Sequence, residues 1–242
     1  MKHSKHEKDV KSTDNLSGSK TKFYDRKKLL LEIIPFALVI ISFIIAIYVY
    51  PLLPPKIPVH WDAQGVANGF SGSAGIFMIP IVSLVVMILL FVLPLMEVYR
   101  ENMLKIYNYY YSFKVFFAAF FTILFVATIM PNFGYNINVA IVIITLISIM
   151  FIWLGLTLPK LKRNFMFGIR TGWTLSSDEV WEKTHKLGGI LFTCLGLITL
   201  ILLWLLKLEM IFFVFMALVI SVSVFLVFYS YYIYKKTGRK NL

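Results

Sequence analysis

The sequence predicts an all-α membrane protein, a bundle of about six transmembrane helices with both termini on the cytoplasmic side. Three observations carry this. Hydrophobic residues make up 59% of the 242 residues and charged residues only 15%, against roughly 45–50% and about 25% in a soluble domain. The apolar residues gather into six long runs, and a helix needs about 20 such residues to cross a bilayer. Lys and Arg stand mostly between the runs.

Residues 1–28 hold nine of the 24 Lys and Arg and too little apolar surface to bury, so they are expected to form a disordered basic cytoplasmic tail. His3 and His6 in this tail are read as solvated. The first run, 29–50, is too long for a signal-peptide core and lacks a small-residue cleavage site, so it is a retained helix. Tyr48 and Tyr50 suit an interfacial belt, and Glu32 is expected at the interface near the basic cluster. Prolines 51, 54, 55 and 58 exclude a regular helix from the start of the loop 51–73. Asn68-Gly69 in that loop reads as a turn.

The second span is 74–96, with Pro80 and Pro94 near its ends. The third is 110–130, with Lys114 close enough to one end to snorkel. A tight turn at 131–136 precedes the fourth span, 139–158, and the charged loop 159–186 precedes the fifth, 187–206. The sixth, 210–228, runs into tyrosines and then Lys235 and Lys236, an interfacial anchor before the basic tail 235–242. The membrane domain thus covers 29–234. With the N-terminus inside, the cytoplasmic segments hold 22 Lys and Arg and the outer ones two, Lys56 and Lys207, the bias that fixes orientation.

The net charge of +12 comes from residues flanking apolar runs, which is a membrane pattern and not a nucleic-acid one. Cys194 stands alone, so no intrachain disulfide forms. The sequence has no HExxH, GxSxG or P-loop and no paired acids within a span, so neither an enzyme nor a cofactor is expected. The scarcity of ionisable residues inside the spans counts against an ion-coupled transporter.

Two connections differ from ordinary loops. The outer one contains IPVHWDAQG, 57–65, with Pro58, His60, Trp61, Asp62 and Gly65 as candidate ligand contacts. His60 and Asp62 supply only two metal ligands where a zinc site needs three or four, so no metal is expected. A structured cap with Trp61 at the interface is the plainer reading. The inner loop holds Gly168, Arg170, Thr171, Trp173 and Thr174, followed by Ser176 and Glu179 at capping-box spacing, so a helix is expected from about Ser177. Trp181, His185 and Gly188 share one face of that helix. Gly188-Gly189 is expected to serve as a hinge or a close-packing site. Arg170 suits a lipid phosphate or a carboxylate, or is a simple topology determinant. The topology puts His60 and His185 on opposite faces, about 30 Å apart.

The segments LPPKIPVHWDAQG, 53–65, and FGIRTGWTLSSDEVWEKTHKLGG, 167–189, resemble the bacterial Sdp immunity protein family (SdpI-like), whose members carry an N-terminal membrane domain of unknown function. The resemblance covers roughly residues 40–235 and departs from the family at Gly172, where proline is usual. It implies a multi-pass protein of the bacterial cell membrane that protects against a secreted antibacterial peptide. It further implies a receptor role, with the toxin as outer partner and a transcriptional repressor as inner partner, the bilayer around it and no cofactor. The alternative is a transporter or exporter component for small amphiphilic molecules.

Overall fold

The computed structural model describes residues 23–238; most of the N-terminal tail, with His3 and His6, and residues 239–242 lie outside the described residues. Six helices are long and apolar enough to cross a membrane: Arg26–Leu52, Ser73–Met96, Tyr107–Phe133, Val139–Lys160, Asp178–Leu205 and Leu208–Thr237. Their regular α-helical parts are α1 (Arg26–Leu31), α2 (Ile33–Val49), α3 (Met78–Val92), α5 (Tyr107–Ile129), α6 (Val139–Thr157), α8 (Asp178–Leu205) and α9 (Leu208–Gly238). Two short helices, α4 (Arg100–Lys105) and α7 (Gly172–Ser176), and a hairpin of β1 (Lys56–Trp61) and β2 (Ala67–Gly72) complete it. Helices satisfy their own backbone hydrogen bonds, which hydrocarbon cannot do for them. Ile47, Trp204, Phe213 and Phe228 are accordingly exposed, facing outward as lipid-facing side chains do.

The helices form two groups of three. In the first, α2, α3 and α5 pack on one another, and Ser42 meets Thr122 across α2 and α5 at 3.1 Å. In the second, α8 packs on α6 and on α9. Small residues permit the α6–α8 approach: a Cβ placed on Gly189 would lie 2.7 Å from the Gly155 carbonyl. Gly188 and Gly189 sit inside the uninterrupted α8, where both lie in close packing contacts.

Other expectations are corrected. Residues 23–28, assigned to the tail, are ordered. Phe23 is buried against Tyr24 and Tyr107, and Asp25 caps α1 by accepting from the Lys28 N–H. That hydrogen bond holds the Asp25 carboxyl below the usual carboxylate range. Lys114 does not snorkel, and Glu32 is buried against it and not among the basic residues of the tail. The two side chains form an ion pair and are 1% and 4% exposed. Tyr24, Tyr107 and Tyr110 surround the ammonium with ring centroids 5.3–5.8 Å away. Both groups lie inside the helical region at the same end of the bundle, where a charge is cheaper paired than reaching for water alone.

The outer loop is not irregular after Pro55. It folds into an antiparallel hairpin that pairs Ile57 with Ser71 and Trp61 with Ala67. The turn lies at Asp62–Gly65, where Gly65 has φ +82° and donates to the Asp62 carbonyl at 3.0 Å, while Asn68-Gly69 lies within β2. Pro58 is tolerated because each strand of a two-stranded sheet is an edge. Finally, Ser177 and not Ser176 caps α8, accepting from the Val180 N–H. Ser176 instead closes α7 on the Trp173 carbonyl at 2.9 Å. The first residues of the expected C-terminal tail, Lys235 and Lys236, belong to α9.

Candidate functional site

The hairpin end is built by strand alternation. Successive strand residues point to opposite faces, so Ile57, Val59 and Trp61 turn towards the bundle and pack above Ile76, Ile79, Phe125 and Ile129, with Pro58 at the edge of the same small cavity. His60, where the strand pairing shifts register, bonds to the Asn68 side chain across the hairpin. The Asp62 carboxylate accepts from the Gln64 and Val66 N–H groups at 3.0 and 2.8 Å, an Asx-type turn. Gly65 lies against Asn138, whose side-chain NH2 donates to the Gln64 carbonyl at 3.2 Å and whose side-chain oxygen caps α6. Asn138 was missed in the sequence. Its signal was an N-cap residue immediately before an apolar run.

A cavity of about 510 Å³ opens beside the hairpin. His60, Trp61 and Asp62 overhang it, Leu124 and Thr128 of α5 form one wall, Ile143 and Ile144 of α6 the floor, and Phe212 of α9 the other wall. Three of the five outer candidates therefore converge on one groove. Gly65 shapes the turn, and Pro58 lies beneath the strand.

At the other end the inner candidates form a buried clamp. The loop 161–171 is held by Asn164, which is 0% exposed. Its side-chain oxygen accepts from Met166 and Phe167, and its amide donates to Lys162 and Phe167. Trp181 donates to the Leu161 carbonyl at 2.9 Å and stacks on His185 at 3.9 Å. His185 Nε2 accepts from the Ile169 N–H at 2.9 Å, which leaves the proton on Nδ1 to donate to the Trp181 carbonyl at 2.8 Å. Both ring nitrogens are thus occupied within the chain. Gly168, with φ +121°, lets the loop pass directly over His185 and Trp181, and Gly188 leaves room for Ile169. Thr171 and Thr174 bond to each other reciprocally, and Thr171 reaches Ser230 of α9 at 3.1 Å. Trp173 packs on Tyr231 of α9 with centroids 5.0 Å apart. Of the inner candidates, Arg170 alone keeps an exposed charged head, steadied by one bond to the Phe165 carbonyl.

Glu97 and Arg163 were also missed. The Glu97 carboxylate accepts from the Phe165 N–H. Arg163 donates to the Leu175 carbonyl and pairs with Asp178 at 2.9 Å. Together they bind the loop to both helix groups. Sequence reading saw only charged loop residues.

Gly172 is the first residue of α7, follows the cap Thr171 (φ −112°, ψ 163°) and has open space around its Cα. Proline is favoured at a first helical position, and Thr171 already has the extended backbone that a residue before proline requires. Gly172→Pro is expected to stabilise the protein by about 0.4–1 kcal/mol. Thermal unfolding of the detergent-solubilised protein checks this, and a lowered midpoint would show that the glycine backbone is needed.

A second cavity of about 520 Å³ adjoins this end, roofed by Met166–Thr171. It too lies between α5 and α9, with α6 behind. On α5 the second cavity touches Phe113 and Phe117 and the first Leu124 and Thr128, so at about 1.5 Å rise per residue they lie ~16 Å apart along the helix. The two motif segments therefore stand at opposite ends of the bundle, each beside its own cavity.

Residues 160–230 match the SdpI/YfhL protein family, and residues 37–84 match a domain of unknown function (DUF1648). Among curated proteins, the chain is 27% identical over 205 residues to "Immunity protein SdpI" of Bacillus subtilis (strain 168), covering 85% of this chain and 96% of that one. No solved structure matches the chain. The six membrane-length helices and this likeness make the chain a multi-pass protein of the cell membrane.

Proposed function

We propose that this chain, which is similar to an SdpI immunity protein, gives its bacterium immunity to a secreted antibacterial peptide. The observation that carries this is the likeness to an SdpI immunity protein along 85% of the chain. In this reading both termini are cytoplasmic, as the bias of Lys and Arg favours, and the hairpin faces outward. The overhang of His60, Trp61 and Asp62 above an apolar groove supports a contact surface for an amphiphilic peptide. Trp61 is the aromatic anchor, the kind of residue that dominates such interfaces. The loop end would then face the cytoplasm, the side on which a repressor would be met.

The chain should be expressed in a sensitive bacterium and challenged with secreted killing peptides. Survival should rise for at least one peptide. Trp61→Ala should weaken binding of that peptide by about 2 kcal/mol or more at unchanged membrane abundance. Full abundance without protection against any peptide would overturn the reading. Protection that extends equally to unrelated amphiphiles would transfer it to export. Reporter fusions at residues 66 and 175 test the orientation, which fails if both report the same side.

A further inference from the structure

We propose that the cavity at the loop end binds an anionic phospholipid, with one acyl chain lying between α5 and α9 and the phosphate held by Arg170. This does not depend on the immunity reading. The cavity, at about 520 Å³, falls within the roughly 300–1,000 Å³ range of small-molecule sites. Its walls are apolar: Phe113 and Phe117 of α5, Met150 and Leu154 of α6, Phe192 of α8 and Val227 of α9. Its polar lining is confined to Arg170, Thr171 and Ser223, and among the described residues no acidic side chain lines it. A long greasy slot with one cation at its rim is complementary to a lipid tail with an anionic head.

Arg170 is set up for that head. One guanidinium nitrogen is fixed to the Phe165 carbonyl, which orients the group and leaves its remaining N–H donors free for phosphate oxygens. The planar fork suits a phosphate better than a point charge does. Lys235 adds positive charge at the same end of α9, resting over Tyr231, which in turn packs on Trp173. Basic pockets between membrane helices are the recognised setting for anionic lipid heads. A peptide backbone would need a row of donors and acceptors, and the apolar walls do not supply one.

The test is native mass spectrometry of the full chain in detergent, titrated with dioleoyl phosphatidylglycerol, dioleoyl phosphatidylcholine or glycerol 3-phosphate. Phosphatidylglycerol should bind one per chain and more tightly than phosphatidylcholine. Arg170→Gln should weaken phosphatidylglycerol about tenfold, the size expected for losing one charge-assisted hydrogen bond, and leave phosphatidylcholine unchanged. Arg170→Lys should fall between. Ser223→Phe, at an exposed position in the slot, should weaken both lipids and decides the matter if Arg170→Gln does not fold. Glycerol 3-phosphate should not compete. The proposal is overturned by equal binding of the two lipids, by wild-type lipid affinity in Arg170→Gln and Ser223→Phe, by competition from glycerol 3-phosphate, or by a second copy of the chain that displaces the lipid.

Discussion

Replacing Lys114 by Met is expected to destabilise the protein by about 3–5 kcal/mol, the usual cost of leaving a buried charge without its partner. Glu32 is 4% exposed, and its ionised carboxylate would keep only the Tyr107 hydroxyl, which donates to it at 3.1 Å. Its second oxygen is buried and has no hydrogen-bond partner among the described residues. Glu32→Gln should cost a similar amount from the other side, by stranding the ammonium among Tyr24, Tyr107 and Tyr110. The double variant Lys114→Met with Glu32→Met should recover most of the loss, because apolar residues of similar volume often replace a buried pair at little cost. Chemical unfolding in detergent micelles, completed as a double-mutant cycle, measures this. Additive losses would show that the two side chains do not act as a pair. The pair fastens α5 to the α1–α2 junction.

The second large effect belongs to the seam between α6 and α8. A Cβ on Gly155 would lie 2.5 Å from the Thr193 backbone nitrogen and 2.6 Å from the Gly189 carbonyl oxygen. Backbone atoms cannot swing aside, so the helices must separate. Gly155→Val should therefore cost at least the roughly 1–3 kcal/mol of an overpacked core, and membrane abundance should fall. Gly189→Val should do the same, since its Cβ would also meet Pro159 at 2.7 Å. Gly172→Ala is the control, because nothing lies within 4 Å of a Cβ there. Normal abundance and melting of Gly155→Val would show that the seam is looser than its geometry. In a membrane the lipid tails are as apolar as the side chains, so close packing replaces hydrophobic burial as the adhesive. That is why these two glycines matter more than the exposed isoleucines and phenylalanines around them.

Strand signals were present in the outer loop but outweighed. Ile57, Val59 and Trp61 alternate with Pro58 and His60, which is the period of a half-buried strand. Four nearby prolines argued for irregular structure, and Asn68-Gly69 offered a more familiar turn than Asp62–Gly65. Tertiary contact decided between them, because Asn138 clamps the Gln64 carbonyl and fixes the turn there. The capping error has the same character. Ser176 and Ser177 are adjacent and both can cap, and the short helix α7 takes up Ser176.

The sequence by itself determined the class of fold, the number of membrane-length helices and their order, since each span is a local run of apolar residues. It also located the two motif segments that stand at opposite ends of the bundle. The tertiary structure alone decided what their residues do. His185 could not be read as a satisfied structural group, because its second partner is the Ile169 N–H, 16 residues away. Lys114 and Glu32, 82 residues apart, carry no pattern that links them. Pairing across helices depends on which faces meet, and in an almost uniformly apolar chain the hydrophobic period that would reveal those faces is absent. Glycines, buried polar groups and the buried Lys114–Glu32 pair select the packing, and the cavities between the two helix groups are its consequence.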